Sequence, residues 1–216
     1  MKIALIGAGD IELHYTKFLG ISQGALAKHI SSISNAISDS KSDVVVLPDR
    51  GISFEVAKQA KSLGNIKVFG TVPLADKTFG TAHLQPFINA KVGEKKVIDE
   101  IIDTGDWFRQ DLTHCTFGDV ILLLGVSTGS MGELAYGYYL YKLFGGHRKE
   151  VESKKKNIHE QIVAGDKMPF DTIVYLPLVK EKLPFEIEKY IVQYGAKVHY
   201  VNDAKELAAL LSSLKK

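Results

Sequence analysis

Hydrophobic positions along the chain follow two alternating spacings. Short, nearly continuous apolar runs rich in Val, Ile and Leu occur at 2–6, 43–47, 66–71, 97–102, 120–124, 172–176 and 197–201. Runs of this kind suit strands buried on both faces, as in a parallel sheet. Most of the gaps, 24–38, 53–62, 106–113, 130–144 and 184–194, together with 203–214 after the last run, carry apolar residues at helical spacing. The alternation predicts an α/β fold: one doubly wound, mainly parallel sheet of about seven strands with helices on both faces. Asp203 stands where an N-cap belongs, and Gly195 where the preceding helix would close.

Two segments fall outside the pattern. Residues 74–90 carry Asp76, Lys77, Thr81 and His83 without clear period, which reads as an active-site flap or a long surface connection. Residues 147–165 mix Arg148, Lys149 and Lys154 to Lys156 with Glu150, Glu152 and Glu160, the pattern of a solvated face. With 216 residues, 45% of them hydrophobic, the chain is long enough for a single domain with a sizeable core. A net charge of +2 gives no electrostatic reason to expect nucleic acid or a membrane surface as partner. The one cysteine, Cys115, cannot form an internal disulfide and fits a buried thiol in a reducing cytoplasm. The apolar start, soon followed by Asp10 and Glu12, is too short for a leader or a membrane span and is expected to be the first strand. The seven histidines are too scattered to suggest a metal site by spacing, so neither metal nor cofactor is expected.

Ligands of open α/β sheets gather at the carboxyl ends of the strands. The turns after 6, 47 and 124 should therefore face one crevice. They contain Gly7 and Gly9, Arg50 and Gly51, and the run Gly125-Val-Ser-Thr-Gly-Ser-Met-Gly-Glu133. The third turn is the most informative. An apolar strand leads into a Ser/Thr/Gly turn and a helix start, so the amides of Thr128 to Met131 lack helical partners and sit at the positive end of a helix dipole. That is a site for an anion, with Ser127, Thr128 and Ser130 adding hydroxyls and Gly129 allowing close approach. Ser130-Met-Gly-Glu133 also fits a capping box with Ser130 as N-cap, which would give Glu133 a structural task. Gly7-Ala-Gly9 resembles the start of a dinucleotide fingerprint, but Glu12 occupies its third glycine position and the helical pattern does not resume until about Gly24.

The order and spacing of these segments resemble the Lonely Guy family of nucleoside-monophosphate phosphoribohydrolases, formerly annotated lysine decarboxylases, and the wider Rossmann-like nucleotide-binding superfamily. The family's Pro-Gly-Gly-x-Gly-Thr-x-x-Glu falls on Gly125 to Glu133, with Ser130 for the threonine and Gly125-Val-Ser127 for Pro-Gly-Gly. Arg109 is the nearest match to an arginine that the family carries on the preceding helix, and Asp49-Arg50-Gly51 echoes its second glycine-rich turn. The resemblance implies cleavage of the N-glycosidic bond of a purine nucleoside 5′-monophosphate. Glu133 would stabilise the oxocarbenium-like state and orient water, and Arg109 would hold the phosphate or orient Glu133. Without the resemblance, Arg109 reads as an exposed residue paired with Asp106. The resemblance also implies a homo-oligomer, commonly a dimer. Where the motif departs from the family, a nucleotide or cofactor carrier or sensor without turnover is the alternative, and an NAD-dependent oxidoreductase using Gly7 to Asp10 a more distant one.

Overall fold

The computed structural model describes residues 1–145, 170–193 and 195–215. Seven parallel strands form one sheet in the order β6-β3-β2-β1-β7-β8-β9. Their ranges are β1 Lys2–Ile6, β2 Asp43–Val46, β3 Val68–Val72, β6 Glu100–Asp103, β7 Val120–Leu123, β8 Asp171–Tyr175 and β9 Val198–Val201. β4 Lys91–Val92 and β5 Lys95–Lys96 make a separate small hairpin. The helices are α1 Gln23–Asp39, α2 Ile52–Leu63, α3 Gln85–Ile88, α4 Trp107–Phe117, α5 Thr128–Gly145, α6 Leu176–Val179, α7 Phe185–Gln193 and α8 Ala204–Leu214. The architecture is the α/β, Rossmann-like one expected.

Strand side chains alternate between two cores because successive residues point to opposite faces. Ile3, Leu5, Val44, Val46, Val120 and Leu122 pack under α1, α2 and α8. Ala4, Ile6, Val45, Ile121, Leu123 and Val174 pack under α4, α5 and α7. Asp203 caps α8 by accepting from the amides of Lys205 and Glu206 at 2.8 Å each. Gly195, at φ 84°, closes α7 with its amide on the Val192 carbonyl.

The differences from expectation have local causes. The apolar run at 97–102 enters the sheet only at Glu100, because the Val97 amide bonds the Ala90 carbonyl and the Asp99 carboxylate takes the Val68 amide at 2.7 Å. Helical structure resumes well before Gly24: Glu12–Phe18 is a π-helix that buries Tyr15. The 74–90 connection runs along the surface, as one of the two expectations had it, and is tied down at two points. Asp76 accepts the amides of Thr78, Phe79 and Gly80 within 3.2 Å, and Leu84 is fully buried. Leu134 and Tyr138 of the expected apolar stripe are buried, while the side chains of Tyr141, Leu143 and Phe144, and the whole of 147–165, lie outside the described residues.

The sheet order reverses at β1: β2, β3 and β6 lie on one side, β7, β8 and β9 on the other. The chain leaves β1 and β7 in opposite directions, which opens a crevice at their carboxyl ends.

Candidate functional site

A cavity of about 390 Å³ occupies that crevice. The turns after β1, β2 and β7 supply Gly7, Gly9, Asp49, Arg50, Gly51 and Ser127 to its wall, the first turn of α5 supplies Gly129 and Ser130, and Leu5 and Leu47 also line it. Helices supply Ser53, Trp107, Gln110, Asp111 and Glu133.

The entrance to α5 is capped from within. Ser127 is the N-cap: its hydroxyl receives the Ser130 amide at 3.1 Å, and its own amide donates to Ser130 Oγ at 2.7 Å. Ser130 Oγ also reaches the Gly125 carbonyl at 3.0 Å. Ser130 is therefore the third residue of the helix and not its cap, and Glu133, freed from the expected capping box, lines the cavity. The Met131 amide is taken by the Ser127 carbonyl. Among the described residues, nothing in the protein accepts from the amides of Thr128 and Gly129. Gly129 lies on the cavity wall and Thr128 is exposed beside it.

At the head of α2 the arrangement differs. Gly51 has φ 128°, a conformation closed to side chains, and no side chain caps the helix. Its Cα packs against the chain after β1, so that a Cβ would lie 2.7 Å from both the Ala8 carbonyl oxygen and the Gly9 Cα. The Ile52 amide bonds that Ala8 carbonyl at 3.2 Å. Ser53 Oγ is buried without a hydrogen-bond partner among the described residues. Arg50 is exposed at the rim, its amide held by the Asp49 carboxylate at 2.7 Å.

Tyr15 joins the two halves of the crevice. Its hydroxyl accepts the Ala8 amide at 3.2 Å and donates to the Leu124 carbonyl at 2.9 Å. Gly125 is needed for this, because a Cβ there would overlap the tyrosine hydroxyl.

α4 presents Trp107, Gln110 and Asp111 to the cavity, the i, i+3, i+4 face of the helix. Arg109 lies outside that face. Its side chain is 57% exposed and pairs with Asp106 at 3.6 Å, so the structure brings it to neither Glu133 nor the cavity wall. Behind the wall runs a satisfied polar chain. Thr104 donates to Gln110 Oε1 at 2.8 Å, Gln110 Nε2 to Thr71 Oγ1 at 2.9 Å, and Thr71 meets His114 Nδ1 at 3.0 Å. His114 Nε2 donates to the Leu5 carbonyl at 3.2 Å, which assigns the proton to that nitrogen. Burial pushes the His114 pKa down to about 4. The imidazole is thus neutral near pH 7, and its 3.7 Å approach to Glu133 is not an ion pair.

The two carboxyl groups on the wall are both displaced. Burial pushes Asp111 up to about 6. Glu133 is raised well above the usual carboxylate range, first by burial and then by the charge of Asp111. Two neighbouring, partly buried carboxyls resist ionising together. Asp111, Trp107, Gln110, Ser53 and Tyr15 were not among the residues singled out in the sequence. Only the helical period that places 107, 110 and 111 on one face could have pointed to three of them.

No protein-family model and no curated protein sequence matches the chain. Solved structures do. The molybdenum cofactor carrier protein of Chlamydomonas reinhardtii matches with TM-score 0.55 and 14% identity, over 99% of this chain and 97% of the other. The molybdenum cofactor binding protein of Rippkaea orientalis gives 0.56 and 13%, over 100% and 97%. A further structure, that of TM1055, gives 0.56 and 12%, over 98% of each chain. Among the described residues no helix is long and apolar enough to cross a membrane. At these identities the likeness is one of architecture, and by that measure the chain shares the Rossmann-like fold of these proteins over essentially its whole length.

Proposed function

We propose that this protein binds a phosphorylated small molecule, a nucleotide or a cofactor, in the crevice between β1 and β7, and that it carries or senses this ligand without turning it over. One observation carries the reading: Gly129, whose amide has no acceptor among the described residues, lies at the head of an 18-residue helix on the wall of a cavity at the point where the sheet order reverses, with the unpartnered amide of Thr128 next to it in the chain. Helix-terminal amides and the helix dipole act together on an anion there. At about 390 Å³ the cavity is of ligand size.

Retention of the ligand is favoured over cleavage by the carboxyl groups. A glutamate that stabilises an oxocarbenium-like state works as the anion. Glu133 is held toward its neutral form, and Arg109 is paired with Asp106. The names of two fold neighbours support the same choice, being those of molybdenum cofactor carrier and binding proteins. A phosphorylated cofactor of that class would be held by its anionic end at Gly129 and Thr128. Among the described residues the cavity wall contains no Cys, Met or His, so none of them would supply a sulfur or imidazole ligand to its metal.

The test is a thermal-shift series with AMP, GMP, IMP and inorganic phosphate, with chromatography of the same mixtures. Stabilisation without release of free base is expected. Base release that disappears in Glu133→Ala would instead establish the hydrolase, and the absence of any shift would remove the binding site. Molybdenum content of the purified protein, read by elemental mass spectrometry, tests the cofactor class directly.

A further inference from the structure

The cavity wall is unusual in its balance of charge and donors. It carries three carboxyl groups, Asp49, Asp111 and Glu133, against the single guanidinium of Arg50 at the rim. Asp49 is partly satisfied by the Arg50 amide. Among the described residues, no N–H or O–H donates a hydrogen bond to the Asp111 carboxylate, and His114 Nε2, 3.7 Å from Glu133, spends its proton on the Leu5 carbonyl. Two partly buried carboxyl groups therefore share a cavity with the Gly129 amide, which lacks an acceptor among the described residues. A ligand that is anionic throughout satisfies the Gly129 amide and meets repulsion from Asp49 and, once it is ionised, from Asp111. The complementary ligand has an anionic end and, across the cavity, an end rich in hydrogen-bond donors.

Trp107 indicates what shape that second end has. The indole is fixed by its Nε1–H on the Gly80 carbonyl at 3.2 Å and by stacking on His83, with ring centroids 5.7 Å apart and planes within 17°. It stands on the wall one helical turn before Asp111, as a flat surface next to an acceptor pair. Flat rings stack on such surfaces, and a carboxylate pairs in bidentate fashion with two adjacent N–H groups.

On the binding reading proposed above, we infer that the ligand is a phosphorylated heterocycle with two adjacent N–H donors on one edge, as guanine presents, and that Asp111 accepts from both while Trp107 packs on the ring. Adenine presents one donor beside an acceptor at the corresponding edge, so Asp111 selects against it. Hypoxanthine keeps the ring N–H and lacks the amino group, so it falls between.

Isothermal titration of the wild-type chain with GMP, IMP, AMP and O-phosphoethanolamine reads this order without any variant. GMP is expected to bind roughly tenfold or more tighter than IMP, with AMP weaker again, the range set by one charge-assisted hydrogen bond. Asp111→Asn replaces one acceptor by a donor and should bring the GMP-to-IMP ratio close to one, and melting of that variant checks that it is folded. Equal affinity for GMP and AMP, or an unchanged ratio in Asp111→Asn, would overturn the assignment while leaving a phosphate site in place. O-phosphoethanolamine binding as tightly as GMP would overturn it too, by making any donor-bearing head sufficient. Failure of all four to bind would remove the binding reading itself along with the inference.

Discussion

α2 and α5 enter the crevice in the same way, each following a buried parallel strand and a turn that contains glycine, yet the two entrances are built on opposite principles. At α2 the glycine is consumed by the protein: Gly51 adopts φ 128° and lies against Ala8 and Gly9, locking the turn after β2 onto the turn after β1. At α5 the serines do the locking, through the reciprocal bonds of Ser127 and Ser130, and Gly129 is left open, with Ser127 Oγ the nearest atom to a built Cβ at 3.8 Å. A glycine in a phosphate-type turn thus has two distinct reasons to be there. One is backbone against backbone, the other backbone against ligand, and only the second marks a site.

The comparison is broken most severely at Gly51. Gly51→Ala should cost about 3 kcal/mol or more, since it combines a disfavoured φ with a clash against main-chain atoms. Chemical denaturation reads it, and a loss under 1 kcal/mol, roughly the level of an ordinary surface change, would mean that the turns are not interlocked. Tyr15→Phe attacks the tie between the halves. It strips the Leu124 carbonyl and the Ala8 amide of their partner, for an expected loss of about 2 kcal/mol. An unchanged denaturation midpoint would show that the two turns hold their positions without it.

Asp111→Asn sharpens the contrast between a site kept for folding and one kept for a ligand. Burial raises Asp111 to about 6, so between its unfolded value near 4 and that point the native state binds more protons than the unfolded state. Stability from this group therefore falls as pH rises through the window, and the penalty is complete above it. The variant should gain about 1–2 kcal/mol at pH 8 and almost nothing near pH 4. His114 has the opposite sign. Held down to about 4, it binds fewer protons when native, so stability is lost as pH falls from about 6.5 toward that value. In Asp111→Asn this loss is no longer offset, and melting temperature should drop more steeply on acidification than in the wild type. Parallel curves would refute the raised Asp111, and a melting temperature in the variant that stays flat on acidification would refute the lowered His114.

The smallest effect is expected at Gly129. Gly129→Ala meets only an ordinary contact with Ser127 Oγ and should alter stability by under about 0.5 kcal/mol, while a methyl in the amide cradle weakens binding of GMP or phosphate severalfold. A large stability loss there would erase the distinction between the two entrances.

Much of the fold was legible because it rests on local pattern. The Val/Ile/Leu runs, the helical periods, Asp203 as a cap and Gly195 as a terminator each depend on neighbours in the chain. The π-helix over Glu12–Phe18 was not legible, since only Tyr15 of that segment is buried and one buried position sets no period. At the site, the turns after β1, β2 and β7 could be brought to one crevice from strand order alone. The motif position drew attention to Arg109, whereas the residues on the wall are its neighbours Gln110 and Asp111, because the rotation of α4 about its axis decides which side chain faces the cavity.

The alternation of strand and helix, the apolar runs and the glycine- and serine-bearing turns are written in the order of residues, since they follow from burial and backbone preference over a few adjacent positions. Which amides stay unpartnered, which carboxyls come to lie side by side and which glycine is already used by another loop emerge only when distant segments pack together. Each of those depends on atoms from segments distant in sequence, as when the Tyr15 hydroxyl settles 2.9 Å from the Leu124 carbonyl, and no local pattern carries that information.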